Sequence, residues 1–220
     1  QASSSAASDV YKRQVYDYSS GDSVLLSAVL TAAVEDRWGA DFIWDQLFTP
    51  LGMSSAQISR DRAGTLLGSS GMAATPRDYA RMGYLALREG CWEGEMLVAD
   101  DWMARTTTVA PRYLTSEDKW DGHARPGLSW WLNTIEPADA PPWEGVPPSA
   151  YAALGHQGQM VYVVPTHDLV VVRTGFDEGR ALDRARFLRM AMAVADAATP
   201  LPEPIEAAPA EPGSPTEDVQ

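Results

Sequence analysis

The sequence predicts an α+β fold, with an antiparallel sheet flanked by helices and a mostly helical region beside it. Three observations carry this. Met160-Val161-Tyr162-Val163-Val164 and Leu169-Val170-Val171-Val172-Arg173 are β-branched runs separated by Pro165-Thr166-His167-Asp168, which reads as a hairpin with a strongly apolar core. The stretch from about Arg180 to Ala197 places Leu182, Ala185, Leu188, Met192 and Ala195 three or four apart, as on one helix face. Residues 22 to 106 hold several helical periods separated by glycine and proline breaks. A chain of 220 residues, 45% hydrophobic and with eight Trp, suits one globular domain with a sizeable core.

Residues 1–14 have no apolar period, and Ser5 to Gln14 resembles a translated sequencing adaptor. The segment is read as non-native and kept out of the fold argument, so the native chain is expected to begin near Val15 and to lack its true N-terminus. Tyr16-Asp17-Tyr18-Ser19-Ser20-Gly21 leads to a helix that Asp22 or Ser23 can cap. Its apolar positions are Val24, Leu25, Ala28, Val29, Ala32 and Ala33, and Arg37-Trp38-Gly39 ends it. Tyr18, just ahead of that helix, can project into a cleft or simply pack. Asp41 to Phe48 reads as a short amphipathic helix stopped by Thr49-Pro50-Leu51-Gly52-Met53, and residues 54 to 70 as loop and short strand.

Thr75-Pro76-Arg77-Asp78 is a helix start, with Thr as cap, Pro at the first position and Asp in the first turn. That helix carries Tyr79, Met82, Leu85 and Ala86 inward and ends at Glu89-Gly90. Asp100 to Arg105 is another short helix. Residues 109 to 127 are polar and irregular, and Gly127 to Asn133 reads as a strand. The Pro-rich residues 136 to 149 read as a loop with room to lie over a cleft. Asp177 can cap the last helix, and the acidic, Pro-rich residues 199–220 read as a disordered tail. The domain is therefore assigned to residues 15–198.

Composition excludes several functions. The net charge is −13 with two lysines, Lys12 and Lys119, and no basic patch, so a nucleic-acid partner is not expected. No apolar run is long enough to cross a bilayer. The single Cys91 allows neither an internal disulfide nor a Cys-based zinc site, and three His lack metal-type spacing, so no metal or other cofactor is expected. Compartment and oligomeric state are not legible.

Leu154-Gly155-His156-Gln157-Gly158-Gln159 precedes the apolar hairpin. Glycines there let another molecule approach the backbone, and a strand edge offers N–H groups to a carbonyl oxygen. An ordinary loop histidine in a glycine turn would look the same locally.

Taken in order, these pieces resemble the serine β-lactamase and penicillin-binding-protein-like superfamily, in its class C, esterase and 6-aminohexanoate-dimer hydrolase branch. Tyr18-Ser19-Ser20 is similar to the second motif, Tyr-x-Asn or Tyr-x-Ser, and Phe48-Thr49-Pro50-Leu51-Gly52-Met53 to a common family phrase. Gly68 to Arg81 resembles the glycine-rich turn and following helix, and His156-Gln157-Gly158 the third motif, Lys-Thr-Gly or His-x-Gly. The resemblance covers roughly residues 16 to 195. It implies a β-lactamase/transpeptidase-like fold, incomplete at its N-terminus, and a small-molecule ester or amide substrate cleaved through an acyl-serine. It also implies Tyr18 as general base and acid, Ser20 as its hydrogen-bonding neighbour, His156 beside it on the leaving group or substrate, and the backbone at Gly158 and Gln159 as an oxyanion site. A phenol holds its proton to about pH 10, so a neighbouring cation has to favour the phenolate.

One departure matters. The family nucleophile, a Ser-x-x-Lys on a buried helix, should precede Tyr18, and no native residues stand there. Ser116-Glu117-Asp118-Lys119 comes later, in a polar stretch whose carboxylates would keep Lys119 charged, and is read as coincidence. The chain is thus expected to be a serine-hydrolase fragment without its nucleophile, inactive alone. The other readings are a catalytically inactive relative used as a binding or regulatory domain, and a structural α/β domain. Because missing elements would bare apolar surface, the fragment is expected to be poorly soluble or partly folded.

Overall fold

The computed structural model describes residue 16 and residues 18–114, 124–135, 140–177 and 182–198. The adaptor-like residues 1–14, Ser116–Lys119, part of the Pro-rich loop and the acidic tail lie outside the described residues. Helix α1 (Ser20–Trp38) starts from Ser19, which is extended at φ −125° and accepts the Asp22 N–H on Oγ at 3.2 Å. The cap is therefore Ser19 and not Asp22 or Ser23, because only Ser19 has a hydroxyl that reaches a first-turn amide. Asp22 in the first turn and Arg37 in the last oppose the helix dipole, and Gly39 ends the helix at φ 76°.

The apolar positions read along α1 form no buried face, a second difference. No residue of α1 is buried, and Leu25 and Val29 are 64% and 58% exposed, with Leu26 at 67%. The side that packs carries Ser23 and Ser27 against Gly68, where a Cβ would lie 3.1 Å from Ser27 Cβ. Small polar groups allow that close approach. The larger apolar residues face away from it.

Next come α2 (Trp44–Phe48), a π-helical turn closed by Thr49 N–H on Trp44 O at 2.8 Å, and the antiparallel pair β1 (Gln57–Ile58) and β2 (Met72–Ala73). Phe48, Leu51 and Met53 of the Phe48–Met53 phrase are buried against Leu85 of α3 (Pro76–Leu87). As the sequence predicts, Thr75 caps α3 and Pro76 opens it. A hairpin of β3 (Cys91–Trp92) and β4 (Glu95–Met96) follows, then α4 (Trp102–Thr106) and α5 (Pro111–Leu114). The helical region thus also holds two small sheets. The stretch read as irregular contains α5, opened by Pro111, and β5 (Arg125–Pro126).

The main sheet runs β5, β6 (Trp131–Leu132), β7 (Tyr151–Leu154), β8 (Met160–Val164), β9 (Leu169–Arg173) in chain order, antiparallel throughout. The β8–β9 hairpin has the boundaries the sequence predicts. The strand expected over Gly127 to Asn133 does not form whole. Gly127 N–H bonds Trp130 O at 2.7 Å with Ser129 at φ 69°, so a tight turn joins β5 to β6. The described part of the Pro-rich loop packs into the core through Trp143 and Val146, which are buried, and Trp143 meets the Tyr162 ring edge-on.

Every residue of β8 is buried. Met160, Tyr162 and Val164 face α6 (Arg184–Ala197) through Leu188 and Met192. The other face meets α3 at Gly83, where a Cβ would come 2.6 Å from Val170 Cγ1, so only glycine lets the helix lie this close. Asp183, not Asp177, caps α6, accepting Arg186 N–H at 2.9 Å. Asp177 is held by Arg173. Among the described residues no helix is long and apolar enough to cross a membrane.

Candidate functional site

Tyr18 stands one residue ahead of the α1 cap. Its ring lies 5.5 Å from the Trp131 ring at a 43° tilt, and the residue remains 57% exposed. Two residues earlier, Tyr16 meets Tyr113 of α5 edge-on at 5.7 Å. These aromatic pairs hold the chain entering α1 beside β6 while leaving much of Tyr18 open to solvent. Ser20 is the exposed first residue of α1, while its neighbour Ser19 makes the capping bond.

His156, Gly158 and Gln159 lie together at the other predicted position. Residues His156–Gly158 form a 3-10 turn between β7 and β8. His156 is therefore on a turn between two strands, one of which, β7, the sequence reading missed. Gln157 takes φ 54° and Gly158 φ 85°, and the turn closes through Gly155 N–H on Gln159 O at 2.8 Å. The Gln159 N–H, an expected oxyanion donor, bonds His156 O at 3.4 Å, a long contact near the limit for such bonds. Side-chain exposure leaves the His156 imidazole facing solvent.

The segment after β9 holds this turn. Arg173 Nη1 donates to Gly158 O at 2.7 Å and to Asp177 Oδ2 at 3.0 Å, and Nη2 donates to Asp177 Oδ1 at 2.6 Å. The Asp177 N–H bonds Gln157 O at 3.1 Å. The Gln159 side-chain amide exchanges bonds with Gly175, donating from Nε2 to its carbonyl and accepting its N–H on Oε1 at 3.2 Å. The Asp177 hydrogen bond raises the already high pKa of Arg173, so the guanidinium is a fixed cation. Arg173, Asp177, Gly175 and Trp131 escape sequence reading because their partners are distant or in the backbone. An Asp four residues after a strand-ending Arg is the one local signal.

Tyr18 packs on Trp131 of β6, and the turn that holds His156 follows the neighbouring strand β7. Trp131 pairs with Ala152 across β6 and β7, and β7 runs on into the turn. Among other tyrosines, burial pushes Tyr162 up to about 12 and Tyr151 higher still, so both phenols stay protonated and neither suits a base. A cavity of about 320 Å³ lies at the opposite end of these strands, lined by Met103, Leu132, Tyr151 and Pro165. Among the described residues no cluster of three His, Cys, Asp or Glu is placed to hold a metal.

The sequence profile of the Beta-lactamase family matches residues 6–191. The chain belongs to the beta-lactamase family. The fold agrees with solved structures of the family. A Bacillus anthracis protein assigned as a 6-aminohexanoate-dimer hydrolase superposes with a TM-score of 0.64 at 20% identity, over 82% of this chain and 44% of that one. A Mycobacterium bovis beta-lactamase gives 0.57 at 22% identity, over 83% of this chain and 63% of that one. An uncharacterised protein of Alkalihalophilus pseudofirmus is 26% identical over 102 residues, covering 46% of this chain and 29% of its own length. The chain thus spans less than two thirds of each. Members of the beta-lactamase family are typically serine hydrolases acting on small molecules.

Proposed function

We propose that this chain is part of a serine hydrolase that cleaves small esters or amides through an acyl-serine, with the nucleophile supplied from outside residues 15–198. Tyr18 is the general base that takes the serine proton and the acid that returns it to the leaving group. Ser20 is its hydrogen-bonding neighbour, and His156 binds polar atoms of leaving group or substrate. Gly158 and Gln159 present the Gln159 N–H to the developing oxyanion. Its present contact to His156 O is long enough for an anionic oxygen to displace it at ordinary hydrogen-bond distance. The observation that carries the reading is the turn itself. Gln157 and Gly158 at positive φ shape a turn that leads into the wholly buried β8 and carries the exposed His156 and the Gln159 N–H, which supports the reading. Ser20 in place of Asn and His156 in place of Lys favour an ester or short amide over a β-lactam, since a histidine meets a substrate carboxylate less firmly than a permanent cation.

Kinetics of the full-length gene product on a short-chain p-nitrophenyl ester, a short amide and a chromogenic β-lactam test this. The expected order is ester and amide ahead of lactam, with Tyr18→Phe lowering kcat roughly 10² to 10⁴-fold. Unchanged kcat in Tyr18→Phe contradicts the assignment. Substrate binding without turnover supports an inactive binding or regulatory domain.

A further inference from the structure

We propose that Arg173 and Asp177 are positioning residues that both aim and strengthen the Gln159 N–H, acting through the Gly158–Gln159 peptide. The catalytic consequence rests on the function proposed above. The geometry of the clamp does not.

Gly158 O and Gln159 N–H belong to one peptide unit. Arg173 Nη1 donates to that oxygen at 2.7 Å. A charged donor on the carbonyl draws electron density through the amide and makes its N–H a stronger donor. Asp177 locks the guanidinium with a bidentate pair, both side chains being only 22% exposed. The same segment also bonds Gln157 and Gln159, through Asp177 N–H to Gln157 O and the Gly175–Gln159 amide exchange. None of these bonds is needed to hold β8 to β9, because that pairing already runs from Met160↔Arg173 to Val164↔Leu169. They go to the turn.

Gly158 belongs to the same device. A Cβ there would lie 2.2 Å from Asp177 Oδ2 and 2.3 Å from Arg173 Nη1, and φ is 85°. Any side chain would drive the clamp off the peptide. Gln157, a non-glycine at φ 54°, holds a disfavoured backbone conformation of the kind that surrounding bonds must over-determine.

Arg173→Ala, Arg173→Lys and Asp177→Asn in the full-length gene product test the proposal by three readouts: ester kinetics, the Gln159 amide proton shift and exchange rate by NMR, and Tm. Arg173→Ala is expected to lower kcat about 10²-fold with KM changed less than about threefold, since a misaimed donor weakens transition-state binding. Added guanidinium ion is expected to restore part of kcat. The Gln159 amide proton is expected to move upfield and exchange faster in Arg173→Ala, and less so in Asp177→Asn, which keeps the arginine. Arg173→Lys keeps the charge without the fork and is expected to fall between. Should Arg173→Ala fail to fold, Asp177→Asn and Arg173→Lys carry the test. A Gln159 amide unmoved in folded variants overturns the clamp whatever the activity. A kcat loss matching only the unfolded fraction, with no guanidinium rescue, also overturns it. Wild-type protein without turnover contradicts the hydrolase reading, and the amide shift then decides the clamp alone.

Discussion

Asn133→Asp is a nearly isosteric change with a large expected effect. Asn133 follows β6 and is wholly buried. Its Nδ2 faces three carbonyls, Val146 O at 3.0 Å, Pro147 O at 3.1 Å and Trp143 O at 3.3 Å, and Oδ1 accepts the Trp143 N–H at 2.6 Å. One side chain thus ties down the loop that carries Trp143 and Val146 into the core. Aspartate keeps the shape but turns two donors into an acceptor facing carbonyl oxygens. Losing two bonds at about 1 kcal/mol each and burying a carboxylate whose second oxygen faces carbonyls totals about 3–5 kcal/mol at neutral pH. Burial and the facing carbonyl oxygens, which outweigh the retained Trp143 N–H, raise the new carboxyl's folded-state pKa above its unfolded value of about 3.9. The penalty is therefore small below the unfolded pKa and grows as pH rises toward the folded one, so it should be larger at pH 8 than at pH 5. Urea melts followed by circular dichroism at both pH values give the difference from wild type. A loss under about 0.5 kcal/mol at pH 8, or one independent of pH, would refute the role given to Asn133.

Asp78 is buried and accepts the Ser55 N–H at 2.9 Å, the Ser55 hydroxyl at 2.5 Å and an Arg81 bond, and the Ser55 hydroxyl leads in holding its pKa below the usual value. Its stabilisation is present above the unfolded pKa of about 3.9 and lost as pH falls through the folded value, so Asp78→Asn should be less stable at pH 7 and lose less on acidification. Acid titrations of both proteins check this, and parallel curves contradict it. Gly83→Val should destabilise by about 1–3 kcal/mol or more, by forcing α3 off Val161 and Val170, measurable as a fall in urea midpoint. The bare α1 face should bind an apolar dye in the 220-residue chain. Leu25→Glu with Val29→Glu should lower that emission with little loss of helix, whereas unfolding would mean the face is packed.

What was legible in the sequence was local. Thr75, Pro76 and Asp78 announce α3 because cap and first turn are neighbours. The β8–β9 hairpin is plain because both runs are β-branched and a Pro-Thr-His-Asp turn separates them. Tyr151-Ala152-Ala153-Leu154 has weak strand propensity and forms β7 because it is sandwiched between β6 and β8. Asp177 reads as the cap of the last helix, but Arg173 takes its carboxylate and Asp183 caps α6 instead. The apolar spacing of α1 suggests a buried stripe, yet no residue of the helix is buried and Leu25, Leu26 and Val29 are largely exposed, a fact set by tertiary packing. At the site, His156, Gly158 and Gln159 form one turn as their adjacency requires, while the clamp beneath them is long-range and invisible to spacing.

The most direct test of the central claim is intact-mass spectrometry of the full-length gene product quenched during turnover of a short-chain p-nitrophenyl ester. The account predicts a single acyl adduct, mapping to a serine outside residues 15–198, that forms quickly in wild type and far more slowly in Tyr18→Phe. Turnover with no adduct, or an adduct forming equally fast without the Tyr18 hydroxyl, would contradict it.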